Sequence, residues 1–242
     1  MSKKGEDTVQ KKEAKPMILA LDYDGVIADS QFECLATGFN AYLKLNKTRL
    51  FKGSRFTFDN FKRLIKDNKG VVDKYKKLRP YVIDAFCYYV IIYIIDSDIK
   101  IKNQNHYNRI RNKLMRLYNG YVRHFYNERY SFQEENFSKF LRFMKPYKII
   151  KGIKRLKNKY VLAIASNNKR KGIIGFLEKY RIPIKTIADS DISTDKTKQI
   201  DFIKKEYKAE YSDIHFVDDQ VSHFPKLMKL GVKCFLAAWG YN

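Results

Sequence analysis

The most constraining feature of this sequence is a set of short apolar runs, each of which stops at a polar residue. Met17 to Asp22 reads MILALD and ends in an acid. Tyr160 to Ala165 (YVLAIA) ends at Ser166, Ile214 to Val217 (IHFV) ends at Asp218 and Asp219, and Val232 to Ala237 (VKCFLA) ends near Trp239. A weaker run, Ile184 to Ala188, leads into Asp189. Continuous apolar stretches of this length are what strands buried on both faces of a parallel sheet look like. Helical patterns separate them at Lys169 to Tyr180, Lys196 to Tyr207 and Phe224 to Leu230. Strands alternating with helices close through right-handed crossovers, so the fold class expected is α/β, with a doubly wound parallel sheet of Rossmann-like type. In such sheets the ligand crevice lies beyond the carboxyl ends of the strands. Asp22, Ser166 and the Asp218–Asp219 pair, far apart in the chain, are therefore expected to meet there.

The stretch between the first two of these runs is of a different kind. Residues 31–147 read as helix-rich and aromatic, with Phe32, Leu35, Phe39, Tyr42 and Leu43 at helical spacing. Ser30 and Glu33 have the spacing of a capping box that would start the first helix. Ala85 to Ile95 (AFCYYVIIYII) is too short to span a bilayer. Its length fits a buried helix, and its β-branched second half fits a strand. The organisation expected is a sheet domain of residues 17–30 and 148–242, interrupted directly after its first strand by an all-helical domain of residues 31–147. Ala28 to Gln31 and the region around Pro146 would be the connecting strings. Residues 1–16 lack the apolar centre of a secretory signal and are expected as a solvated, disordered tail. Cys34, Cys87 and Cys234 have no disulfide or metal spacing, which fits reduced thiols and a cytoplasmic setting.

Four polar constellations carry chemistry. Asp22-Tyr23-Asp24-Gly25 places two carboxylates at i and i+2 beyond a strand end, where one can attack while the other moves a proton. The same residues also make ordinary turns. Asp218-Asp219 puts two acids at another strand end. Facing the first pair they call for a cation, and a few hard oxygen ligands suit Mg²⁺, although an acid pair also favours a helix N-terminus. Ser166-Asn167-Asn168 offers a hydroxyl and backbone N–H groups that can hold an anion or simply cap a helix. Lys196 follows Ser193-Thr194, the expected cap of the next helix, and a cation in a first turn runs against the helix dipole. Neutralising a phosphoryl group would explain it, and Lys198 is the rival position in a Lys-rich chain.

In this chain order the four constellations resemble the motifs of the haloacid dehalogenase (HAD) superfamily, and the insertion sits where that superfamily carries a helical cap of the first type. The resemblance covers the sheet domain, about half of the chain. It implies an HAD-type phosphoric monoester hydrolase. Asp22 would be the nucleophile and Asp24 the general acid and base. Ser166, the Asn167 N–H and Lys196 would hold the phosphoryl oxygens. Mg²⁺ would be held by the Asp22 carboxylate, the Asp24 backbone carbonyl and Asp219, with Asp218 assisting. Asp24 points to phosphoryl transfer, because the dehalogenases of the superfamily lack this second acid; phosphonate hydrolysis, which would use a cap lysine as a Schiff base, stays open in a Lys-rich cap. Two positions depart from the pattern: His223 stands where many members have a further acid, and Thr197 where Pro is common. Ala237 to Asn242 (AAWGYN) is similar to the segment after the last strand in phosphoglycolate phosphatase-like relatives.

Charge says less about the substrate. The chain carries 49 Lys+Arg against 26 Asp+Glu, for a net +23. Residues 31–150 hold 25 basic and 10 acidic residues of these. Such a field draws anions of any kind, and a composition rich in Lys, Ile, Asn, Tyr and Phe produces the same skew without any polyanionic partner. The expected substrate is a small phosphorylated metabolite, phosphoglycolate-like or a sugar phosphate. The alternatives are a nucleic-acid-end phosphatase or nucleic-acid binder that stacks bases on Tyr118, Tyr121, Phe125, Tyr126 and Tyr130, and a phosphomutase of the same superfamily. No membrane partner is expected, and self-repulsion favours a monomer.

Overall fold

The computed structural model describes residues 16–241, so nearly all of the expected tail lies outside the described residues. The chain opens with β1 (Ile18–Leu21) and the two-residue β2 (Ala28–Asp29). Six helices follow: α1 (Gln31–Leu43), α2 (Phe61–Asp67), α3 (Lys69–Leu78), α4 (Ala85–Asp96), α5 (Gln104–Leu114) and α6 (Tyr118–Phe140). Next come β3 (Lys145–Pro146) and α7 (Ile150–Leu156). Strands and helices then alternate through β4 (Val161–Ala165), α8 (Arg170–Lys179), β5 (Thr186–Ala188), α9 (Lys196–Glu206), β6 (Ile214–Asp218), α10 (Phe224–Lys229) and β7 (Lys233–Leu236).

The five longer strands form one parallel sheet in the order β5-β4-β1-β6-β7. Successive side chains of a strand point to opposite faces. Ile18 and Ala20 therefore pack with Ala163, Phe216 and the α9 residues Ile200 and Ile203 on one side. Leu19 and Leu21 pack with Ile164 and the α8 residues Ile173 and Phe176 on the other. Helices on both faces make the sheet doubly wound, and the insertion after β1 is helical, as expected from the patterning. β7 departs from the buried-strand reading of Val232 to Ala237. It lies at the sheet edge, and Phe235 and Leu236 are 50% and 43% exposed.

The two strings that join sheet and insertion run together. β2 and β3 pair antiparallel, with Ala28 opposite Pro146 and Asp29 opposite Lys145. The run Ala85–Ile95 is helical: α4 sits among α1, α3, α5 and α6, and Asp84 caps it by accepting from the Cys87 N–H at 3.0 Å. A helix enclosed on all sides is apolar all round, and this burial overrides the strand preference of its β-branched residues. Among the described residues no helix is long and apolar enough to cross a membrane.

Candidate active site

Strand register builds the site. Leu21 is level with Ile164 of β4 and Val217 of β6, so the next residue, Asp22, emerges between Ala165 and Asp218. Its N–H donates to the Val217 carbonyl at 2.9 Å. The chain then reverses at Gly25, which has φ +82° and donates to the Ala28 carbonyl at 2.9 Å. A β-carbon there would stand 2.3 Å from Asp219 Oδ2, and one on Gly240 would stand 2.3 Å from Asp219 Cβ. Two glycines thus bracket Asp219, and the Tyr241 N–H donates to its Oδ2 at 2.8 Å. This turn brings Asp24 back over the strand ends.

Lys196 opens α9. The cap is Asp195, which accepts from the Thr197 N–H at 2.8 Å, and not the expected Ser193-Thr194. Ser193 instead accepts from the Asp195 N–H, so the cap moves one residue along, and an acid beside Lys196 offsets the unfavourable dipole. Lys196 Nζ donates to Asp22 Oδ1 at 2.8 Å and to the Ala165 carbonyl at 2.5 Å, and lies 3.9 Å from Asp218 Oδ2. Lys196 is buried, whereas Lys198 is exposed.

Asp22, Asp218 and Asp219 are all buried and offer carboxylate oxygens within 4.8 Å of one another. Burial is the main force that pushes the Asp22 carboxyl up to about 7, opposed by Lys196 and reinforced by the other three acids. Burial likewise raises Asp219 to about 6. For Asp218 burial is outweighed by the His223 hydrogen bond, Lys196 and the Gln220 N–H, which hold it below the usual carboxylate range. His223 Nδ1 lies 2.7 Å from Asp218 Oδ2, and the Gln220 N–H donates to Oδ1 at 2.9 Å. Hard oxygen donors gathered at low dielectric suit Mg²⁺. Asp22 and Asp219 are the freer ligands, because both Asp218 oxygens already accept.

Ser166 and Asn167 lie just past β4 and line the same cavity. Ser166 Oγ accepts from the Asn168 N–H at 3.2 Å, and the Asn167 side chain accepts from Gln199 at 3.1 Å. The structure adds residues that the patterning missed or assigned another role. Asp24 Oδ1 accepts from Ser30 Oγ, and Oδ2 accepts from Asn168 Nδ2 at 3.3 Å. Asn168 Oδ1 accepts from Arg129 at 2.8 Å, and Arg129 is gripped by Glu33 through two bonds of 3.0 and 2.7 Å. Ser30 makes no capping bond. The apparent capping box is therefore part of the site: Ser30 serves Asp24, and Glu33 serves Arg129 and Thr37. Arg129 carried no sequence signal, being one cation among many on an aromatic helix. Tyr241 was visible only as part of the terminal WGYN.

Cap and core together line a half-open cavity of about 80 Å³. Lys196 is the one lysine among its described lining residues, and it comes from the core. The cap thus presents no lysine for a Schiff base. Tyr121 and Phe125 are buried in the cap core, which withdraws them from base stacking. Tyr118 and Tyr126 are half-buried, and Tyr130 is exposed.

No protein-family model and no curated protein matches the sequence. Solved structures do match in fold. A haloacid dehalogenase-like family hydrolase from Streptococcus pneumoniae superposes with a TM-score of 0.58 at 12% identity, over 94% of this chain and 87% of that one. A predicted phosphoglycolate phosphatase from Haemophilus somnus 129pt gives 0.56 at 14% identity, over 95% and 88%. A predicted phosphatase from Clostridium acetobutylicum gives 0.55 at 12% identity, over 95% and 88%. The chain has the haloacid dehalogenase-like fold, with a parallel α/β core and a helical insertion.

Proposed function

We propose that the protein is a Mg²⁺-dependent phosphatase that hydrolyses a small phosphorylated metabolite through an aspartyl-phosphate on Asp22. The observation that carries this reading is the convergence of Asp22, Asp24, Ser166, Lys196 and Asp219, from separate strand ends and a helix start, on one cavity. Asp22 attacks phosphorus; its oxygen–phosphorus bond forms as the bond to the leaving oxygen breaks. Asp24 gives its proton to that oxygen, then takes one from the water that attacks the aspartyl-phosphate and releases Asp22. Ser166, the Asn167 N–H and Lys196 hold the phosphoryl oxygens as charge shifts. Mg²⁺ held by Asp22, the Asp24 carbonyl and Asp219, with Asp218 behind them, would supply the positive charge that lets an anionic nucleophile meet an anionic phosphoryl group.

The cavity, half open to solvent between cap and core, supports a phosphoryl group at the strand ends with its leaving group directed to the cap residues. The test is phosphate release with Mg²⁺ from a panel of phosphorylated metabolites and oligonucleotides, beside Asp22→Asn and an EDTA control. Release that needs both Asp22 and the metal supports the reading. Folded wild-type protein releasing no more phosphate than Asp22→Asn sinks it, and net isomerisation of a phosphosugar would replace it with a mutase.

A further inference from the structure

Two arginines of the cap are buried against the cavity, and they are used differently. Arg129, 5% exposed, is fully committed: Glu33 accepts two of its bonds and Asn168 a third. Arg79 is equally buried at 5% exposed. It begins the short turn Arg79–Tyr81 between α3 and α4, where Pro80 fixes the backbone and Tyr81 stacks on Tyr107 at 4.9 Å. Its guanidinium lies over the Tyr241 ring at 4.0 Å and the Tyr88 ring at 5.4 Å. No carboxylate pairs with it among the described residues, and its Nε is shut away from solvent without an acceptor.

A guanidinium presents five N–H donors and stays charged. Burying that charge without an anionic partner is costly, and the aromatic faces offset only part of the cost. The guanidinium rests on the Tyr241 and Tyr88 rings. Arg79 borders the same cavity as Asp22, Ser166 and Lys196. A small molecule whose phosphoryl group lies at Ser166 and Lys196 shares this cavity with Arg79.

We infer that Arg79 is a specificity-determining residue that pairs with a second anionic group on the substrate, which makes the substrate class a short phosphomonoester carrying a carboxylate or a second phosphate. This inference rests on the phosphatase reading of the cavity. It separates the substrates expected for such a site. Neutral sugar monophosphates leave Arg79 unpaired, whereas an acid or bisphosphate satisfies it.

The test is a calorimetric titration with Mg²⁺ in the Asp22→Asn background, which binds without turnover. The probes are 2-phosphoglycolate, its amide analogue, in which the second group is uncharged, and ethylene glycol bisphosphate. A buried charge pair of this kind should make one of the two probes with a second anionic group bind about 100-fold more tightly than the amide. Adding Arg79→Met should collapse that preference to within about threefold, and Arg79→Lys, which keeps the charge but loses the fork, should keep an intermediate preference. The better of these two probes identifies the second group. A preference that survives Arg79→Met overturns the inference, as does equal binding of all three probes, or none, before Arg79 is changed. If Arg79→Met does not fold, an undiminished preference in Arg79→Lys overturns the bidentate pairing. Phosphate release by the wild-type protein is scored separately. A hydrolase without Arg79-dependent preference refutes this inference alone, and a protein that hydrolyses nothing refutes the phosphatase reading.

Discussion

The Glu33–Arg129 pair offers a quantitative check on how the cap is fixed to the site. The Glu33 side chain is 1% exposed and that of Arg129 is 6% exposed, so both charges have lost nearly all their water. Breaking a buried pair from one side leaves the other charge uncompensated, at about 3–5 kcal/mol. Glu33→Leu should cost this much, because Arg129 would keep Asn168, the weak Cys34 Sγ acceptor at 3.5 Å and the Phe125 ring at 4.8 Å, none of them a charge. Arg129→Met should cost about the same, since the Glu33 carboxylate would keep Thr37 at 2.8 Å as its main donor. The double variant places apolar chains of similar volume side by side and should cost about 2 kcal/mol or less, because replacing a buried pair whole is often close to neutral. The coupling read from the four proteins is then at least about 3 kcal/mol. Urea unfolding at fixed pH, with the denaturant slope compared across the set, measures it. Two single costs that simply add in the double variant, or singles below about 1 kcal/mol, would refute the claim that the two charges depend on each other.

Three further outcomes follow from the geometry. Gly240→Ala puts a β-carbon 2.3 Å from Asp219 Cβ and 2.7 Å from the Gly25 carbonyl, so Asp219 must move; phosphate release should fall by at least about tenfold, and the thermal shift on adding Mg²⁺ should shrink. Lys196→Met should lower kcat/KM by about 100-fold or more, while Lys198→Met, changed at an exposed side chain, should leave kinetics and melting temperature where they were. In EDTA, Asp22→Asn should become progressively more stable than the wild type as pH rises. The folded Asp22 value of about 7 lies above 3.8, so the folded state keeps a proton that the unfolded chain has lost. That contribution is complete below pH 3.8 and gone above about 7, which amounts to about 3 kcal/mol between pH 5 and 8. Paired melting curves of the two proteins across that range measure it, and a constant difference would contradict the assigned burial of Asp22.

The sheet was legible because its cause is local. A strand buried on both faces must be apolar throughout, and the crevice beyond it must be polar, so β1, β4 and β6 announce both themselves and the residues at their ends. β7 was harder to read, since the apolar run of Val232 to Ala237 carries no mark of its edge position. The cap helices were legible from spacing, but their polar residues were not. Ser30 and Glu33 have the spacing of a helix start, and only the tertiary structure turns them towards Asp24 and Arg129. The same holds at α9, where three consecutive residues are each able to cap and only the backbone decides that Asp195 does. Long-range partners such as Arg129 with Asn168, 39 residues apart, leave no periodic trace.

Charge shows the same division between what a sequence displays and what a fold selects. The stretch 31–150 carries 25 basic residues, and their number suggests a polyanionic partner. Two of the arginines, Arg79 and Arg129, are buried at the cavity, where low dielectric makes one charge count for more than many on the surface. Arg129 is spent on holding the cap's own acid and the core's Asn168. Arg79 is left without an acid. The feature proposed to read the substrate is therefore a single guanidinium at the half-open cavity that also holds Asp22 and Lys196. If that guanidinium selects the substrate, one buried charge beside the phosphoryl site outweighs the many lysines on the surface, whose fields solvent and salt screen.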